Sequence, residues 1–169
     1  RRIERRVIEA QVRNFYICSL SCRSIIYKGM FLAEQLTDFY PDLLDDHFVS
    51  NFAIFHQRYS TNTFPTWELA QPFRTLAHNG EINTLKGNVN WMKSHEIRMV
   101  SEYFGDYGED LKPVVQAGSS DSAALDSVFE LLVRAGRDAP EVKTLLVPES
   151  WSNKTNMPES QRAMYAYCN

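Results

Sequence analysis

The segments richest in β-forming residues crowd into the first half of this sequence instead of alternating with helical ones. FYICSL (15–20), SIIYKG (24–29), FVSNFAIFHQRY (48–59) and FRTLAHNG (73–80) are short runs of β-branched and aromatic residues, the pattern of strands. The first two flank Ser-Cys-Arg and read as a hairpin. The second half carries SSDSAALDSVFELLVRAG (119–136), where Leu125, Val128, Phe129, Leu132 and Val133 form one apolar stripe at helical spacing. Ser120 is placed to cap that helix and Gly136 to stop it. This order predicts an α+β fold in preference to a doubly wound parallel sheet.

Other helices are expected over residues 2–13, over 32–40 up to Pro41, from a cap at Asn83 or Thr84 to about Phe104, over 141–146 and over 159–166. Gly87 weakens the third of these. The acidic stretch through Asp46, the segment from Thr63 to Pro72 and the turn-rich 105–110 read as loops, and LKPVV (111–115) as a short strand. The arginines of 2–13 interleave with Glu4 and Glu9, so a solvated helix face is expected there rather than a nucleic-acid arm.

With 169 residues, 44% hydrophobic and 23% charged, the chain fits one domain, or most of one, and wholesale disorder is excluded. Eighteen Lys and Arg against 21 Asp and Glu give a net charge of −3, so no nucleic-acid partner is expected. No apolar run approaches the roughly 20 residues of a membrane span, so no membrane partner is expected either. No apolar stretch follows the opening RRIERR, so no signal peptide is expected. Three cysteines argue against a disulfide framework and for a reducing compartment, the cytoplasm or alternatively a plastid. Position 1 is Arg1 rather than Met, and the expectation is a piece of a longer chain.

Chemistry-bearing residues concentrate in HQRYSTNTFPTWELAQPFRTLAHNGEINTLKGN, residues 56–88. Arg58, at the end of a β-rich run, suits a bidentate grip on a carboxylate, although a surface ion pair would use it equally well. Asn79-Gly80 offers a side-chain amide and a backbone N–H that can converge on an oxyanion, or simply a turn. Asp121, between two serines at a helix start, suits either the cap or the grip on a ligand ammonium group. The stretch from Gly80 to Gly87 lacks both GxxxxGK[ST] and GxGxxG, which leaves a nucleotide-binding module weakly supported. The four histidines (47, 56, 78 and 95) have no ligand spacing, and Cys18 and Cys22 have no second pair, so no metal site is expected.

The block from His56 to Asn88, with FYICSLSCRSIIYKGM before it and GSSDSAALDSVFELL and LLVPESW after it, resembles the glutaminase segment of the glutamate synthases. That family is similar to the class II glutamine amidotransferases. The resemblance runs from about Arg13 onward and implies an N-terminal-nucleophile fold, a four-layer αββα sandwich of two antiparallel sheets. It implies a cysteine nucleophile at the mature N-terminus, with its own α-amino group as base. Such an amine, with a pKa of about 7.7–8.0, is well placed to take a thiol proton at neutral pH. Carried onto this sequence, Arg58 binds the α-carboxylate of L-glutamine and Asp121 its α-ammonium group. Asn79 and Gly80 form the oxyanion hole, and Tyr59 and Thr61 line the pocket. Asn62 is a weaker match, and His78 and Glu81 are given structural roles only.

Cys18, Cys22 and Cys168 do not match the nucleophile position, which the resemblance puts upstream of Arg1. Residues 1–169 are therefore expected to be a partial domain, without its first strands or its attacking group. In the enzyme reading, the intact protein hydrolyses glutamine to glutamate and ammonia. The remaining synthase domains of the same polypeptide then use the ammonia to make glutamate from 2-oxoglutarate. FMN and an iron–sulfur cluster are implied for those domains and no cofactor for this segment. The alternative is a glutamine-binding or structural domain without catalysis.

Overall fold

The computed structural model describes residues 2–57 and 65–168. Helix α1 (Arg2–Glu9) is shorter than the expected 2–13. Gln11 turns into the left-handed region (φ 56°), and the Val12 N–H reaches back to the Val7 carbonyl, a helix-terminating bond pattern. Helix α1 has no buried residue and Arg2 and Arg6 are exposed, as expected of a solvated face, although Arg2 and Arg5 also make contacts on one side. Arg5 pairs with Asp110 at 3.0 Å and donates to the carbonyls of Glu109 and Lys112, while Arg2 lies over the Tyr107 ring. The expected loop at 105–110 is thereby a 3-10 helix, Gly105–Leu111.

The expected helix over 32–40 is a 3-10 turn, Ala33–Gln35, running into α2 (Leu36–Phe39), with a second 3-10 turn from Pro41 to Leu44. Helix α3 spans Lys86–Glu96, with no side-chain cap from Asn83 or Thr84 and an end well before Phe104. The Thr84 side chain accepts from Asn88 instead, and Glu96 accepts from the Val114 N–H at 2.6 Å.

Helix α4 (Asp121–Arg134) meets expectation closely. Ser120 Oγ accepts from the Ala123 N–H, and Gly136 carries a φ of 95°. A Cβ at Gly136 would lie 2.5 Å from the Tyr103 ring, so the turn into α5 (Ala139–Leu146) requires glycine twice over. Helix α6 (Glu159–Cys168) stacks Tyr165 on Trp151. The buried apolar core comprises Phe73, Val114, Val115, Ala124, Val142 and Tyr165.

The strand expectations at 15–20, 24–29, 73–80 and 111–115, and at 48–59 as far as residue 57, are corrected, since the described residues contain no strand, and 58–59 lie outside them. Of the expected α+β fold, the described residues therefore show the helical part alone. A strand needs a neighbour whose backbone groups meet its own. Here side chains take those groups instead. The Ile26 N–H donates to Ser19 Oγ, so the two arms of the expected hairpin do meet, but through a hydroxyl. The Ile17 carbonyl accepts from the Arg74 guanidinium, and the Lys28 carbonyl accepts from the Tyr40 hydroxyl.

Candidate active site

The segment 73–78 lies along one face of α4, held by a row of polar contacts. The Phe73 N–H bonds to the Leu76 carbonyl and closes a turn. Into that turn reaches Asp126, 3% exposed. Its carboxylate accepts from the Thr75 N–H (2.7 Å), the Thr75 hydroxyl (2.6 Å) and the Arg74 N–H (3.3 Å). One helical turn earlier, Ser122 Oγ lies 2.7 Å from His78 Nε2, and one turn later Glu130 lies 3.5 Å from Arg74. Positions 122, 126 and 130 repeat every four residues, so they share a helix face. Their partners run 78, 75, 74, so the segment is antiparallel to the helix.

This row inverts one reading of α4. Its buried residues are Ser122, Ala124 and Asp126, while Leu125, Val128, Phe129, Leu132 and Val133 are half-buried. The S-x3-D-x3-E spacing was the available signal for Ser122, Asp126 and Glu130 as anchors, and the apolar stripe obscured it.

Arg74 ties this row to the rest of the molecule. It meets Glu4 of α1 at 2.6 Å, donates to the Ile17 carbonyl and lies over the Tyr16 ring. Beside it, Lys28 is 5% exposed. Its ammonium donates to the Glu68 carbonyl at 2.6 Å and sits 4.7 Å from the centres of both the Tyr16 and Phe73 rings. Burial pulls its pKa down to about 8, against an attraction to Cys18, Asp126 and Glu68. Burial likewise pushes the Cys18 thiol up, despite the nearby Lys28 and Arg74.

Immediately beyond the anchored segment, Asn79 and Gly80 are exposed. His78 is fixed on both sides of its backbone. Its N–H donates to Gln71 Oε1 at 2.7 Å, and its carbonyl lies 3.2 Å from His56 Nε2. Asp121 occupies the first turn of α4, half-buried. Ser120 is the cap, so Asp121 does not serve in that role. Its Oδ1 accepts from the Ser122 N–H at 2.6 Å and the Ser122 hydroxyl at 3.2 Å. The structure therefore brings Asp121 and the residue before Asn79 to a single shared hydroxyl. Arg58, Tyr59, Thr61 and Asn62 lie outside the described residues.

A groove of about 660 Å³ opens toward the other end of α4, lined in part by Ile17, Cys22, Arg74, Phe104, Glu130 and Arg134. Of the expected site residues among the described ones, Asn79, Gly80 and Asp121 do not line it, and Arg74 is already bonded to Glu4, Ile17 and Glu130. Among the described residues no group of three or more His, Cys, Asp or Glu could hold a metal ion, and no helix is long and apolar enough to cross a membrane.

The exposed Asn79-Gly80 pair thus follows a histidine whose ring meets Ser122 at the start of α4. Residues 1–169 match the family of glutamine amidotransferases class-II, and the chain belongs to that family. It is 66% identical over 169 residues to the glutamate synthase (NADPH) large chain of Azospirillum brasilense, covering all of this chain and 11% of that one. It is 51% identical over 154 residues to the glutamate synthase (NADPH) large chain of Bacillus subtilis, covering 91% of this chain and 10% of that one. It is also 51% identical over 142 residues to the ferredoxin-dependent glutamate synthase of Antithamnion, covering 84% of this chain and 9% of that one. The chain thus spans roughly a tenth of the length of these curated relatives.

Proposed function

We infer that this chain is the glutamine-binding and oxyanion-stabilising part of a glutamate synthase. The observation that carries the reading is the Asn79-Gly80 turn, exposed and joined through His78 and Ser122 to Asp121. Arg58 holds the α-carboxylate of L-glutamine through two parallel hydrogen bonds, and Asp121 receives the α-ammonium group. Tyr59 and Thr61 line the pocket. The side-chain amide of Asn79 and the N–H of Gly80 donate to the carbonyl oxygen as it becomes an oxyanion.

The attacking group is a cysteine thiolate supplied by the parent polypeptide outside residues 1–169. A reactive cysteine needs a lowered pKa, whereas burial raises that of Cys18. Attack on the amide carbon gives a tetrahedral oxyanion. Its collapse expels ammonia and leaves a thioester, which water cleaves to glutamate. The ammonia serves glutamate formation from 2-oxoglutarate in the remaining domains of the polypeptide. FMN and an iron–sulfur cluster belong to those domains. In the complete domain, the β-rich runs at 15–29, 48–59 and 73–80 contribute to the two sheets of an αββα sandwich.

The test is covalent labelling of the parent enzyme with a diazo-ketone analogue of glutamine, followed by peptide mapping. An adduct on a cysteine outside residues 1–169 is expected. An adduct on Cys18 or Cys22 would overturn the assignment.

A further inference from the structure

The start of α4 holds a hydrogen-bond arrangement that glutamine binding alone does not require. A serine hydroxyl has one proton to donate. The Ser122 hydroxyl faces two groups, Asp121 Oδ1 at 3.2 Å and His78 Nε2 at 2.7 Å. While its proton goes to Asp121, the His78 contact requires Nε2–H to donate. If Asp121 turns its oxygen toward another cation, the hydroxyl loses that acceptor and is held to the ring by the Nε2–H···Oγ bond alone, so the position of Asp121 is felt at His78. Ser122 is 8% exposed, which limits the water available to replace either partner.

The other side of the His78 ring faces the turn. Its Nδ1 lies 3.5 Å from the point where Gly80 would carry a Cβ. Gln71 and His56 hold the His78 backbone, so a change at Ser122 is taken up by the ring. His56 Nε2 reaches the His78 carbonyl, and among the described residues its Nδ1 has no hydrogen-bond partner, so that carbonyl is the imidazole's anchor among them.

We propose that Ser122 and His78 are positioning residues that couple Asp121 to the Asn79-Gly80 turn, so that a substrate ammonium at Asp121 orients the oxyanion donors. This rests on the glutamine reading above and deepens it. The substrate's α-amino group then governs turnover as well as binding, which makes the pair a specificity device for α-amino acid amides.

The test measures glutamine hydrolysis by the parent synthase carrying Ser122→Ala, His78→Leu, both together, and the conservative Ser122→Thr and His78→Gln. Each of the first two is expected to lower kcat about 3–10-fold, with KM for glutamine moving by less than about twofold. The double variant is expected to be no worse than the poorer single one, because both break one relay. Ser122→Thr keeps the hydroxyl and His78→Gln keeps a nitrogen near the Nε2 position, so both should recover most of the rate. Additive losses, losses carried by KM, or no loss would overturn the coupling. If Ser122→Ala lowers the thermal unfolding midpoint, the contrast between His78→Leu and His78→Gln carries the same test. Asn79→Ala separates the two possible failures. If it leaves kcat intact, the oxyanion reading falls. If it abolishes turnover while the Ser122 and His78 variants match the wild type, the coupling alone falls.

Discussion

Residues 73–80 and residues 48–55 look alike in sequence and behave oppositely in the molecule. Both were expected to be strands, and neither is one. Phe73 is 3% exposed, while Phe55 is 91% exposed. The difference lies in what each run finds to replace a strand partner. The 73–80 run has Asp126, Ser122 and Glu130 along α4, and these take its N–H, hydroxyl, imidazole and guanidinium groups. The 48–55 run is exposed throughout, with Phe48 near the Tyr27 ring and Ser50 bonded to the Phe52 carbonyl two residues on. Apolar content sets a demand for burial, but the polar anchors decide which run is held.

The largest contrast should appear in catalysis. Asn79→Ala in the parent enzyme is expected to lower glutaminase kcat by about 10²–10³-fold, the usual effect of removing one oxyanion donor. Asn51→Ala, in the exposed run, should leave it unchanged. Steady-state ammonia release measures both, and equal effects would erase the distinction between the two regions.

Next comes the anchor itself. Asp126→Ala strands the Thr75 and Arg74 donors and should cost about 2–4 kcal/mol, read from denaturant midpoints at constant slope. Asp126→Asn keeps an acceptor and should cost less.

The exposed run supplies a sharper test. Phe55→Ser is neutral within about 0.5 kcal/mol if the run stays on the surface. In the parent enzyme, where the proposed sandwich would cover this ring, the same substitution is expected to cost about 3–5 kcal/mol. A neutral outcome in the parent would argue against the sandwich.

The smallest effect concerns Lys28. Its folded pKa of about 8 lies below the ordinary 10.5. The unfolded chain therefore binds more protons between those values, and stability rises with pH across that window. Below about pH 8 the buried charge is a net cost. Relative to Lys28→Met, the wild type should gain stability from pH 8 to pH 10.5, measured by urea unfolding at several pH values. A flat difference would mean that the Tyr16 and Phe73 rings and the Glu68 carbonyl fully offset the burial.

Local signals were legible where one element decides them alone. Helix α4 lies within its expected span, because the Ser120 cap and the Gly136 turn are written into neighbouring residues. The β-rich runs form no strand among the described residues, because strand formation depends on a partner elsewhere, and side chains such as Arg74 and Tyr40 take their carbonyls here. Of the candidate site, Asn79, Gly80 and Asp121 were named from short motifs, and the structure links their neighbourhoods. The link itself, Ser122 and His78, is a contact across 44 positions of sequence, which no local pattern announces. Asp126 was concealed for a different reason, since a buried carboxylate on a helix resembles an ordinary solvated one until its donors are seen.

The antiparallel row between α4 and residues 74–78 also sets a length. Four residues of helix advance about 6 Å, whereas an extended chain covers about 3.3 Å with each residue. Both elements are pinned at Ser122–His78, Asp126–Thr75 and Glu130–Arg74, so a residue inserted or deleted between Arg74 and His78 would shift at least one side chain off its anchor. The spacing of the stretch, as much as the identity of its anchored residues, therefore sets where Asn79 and Gly80 stand.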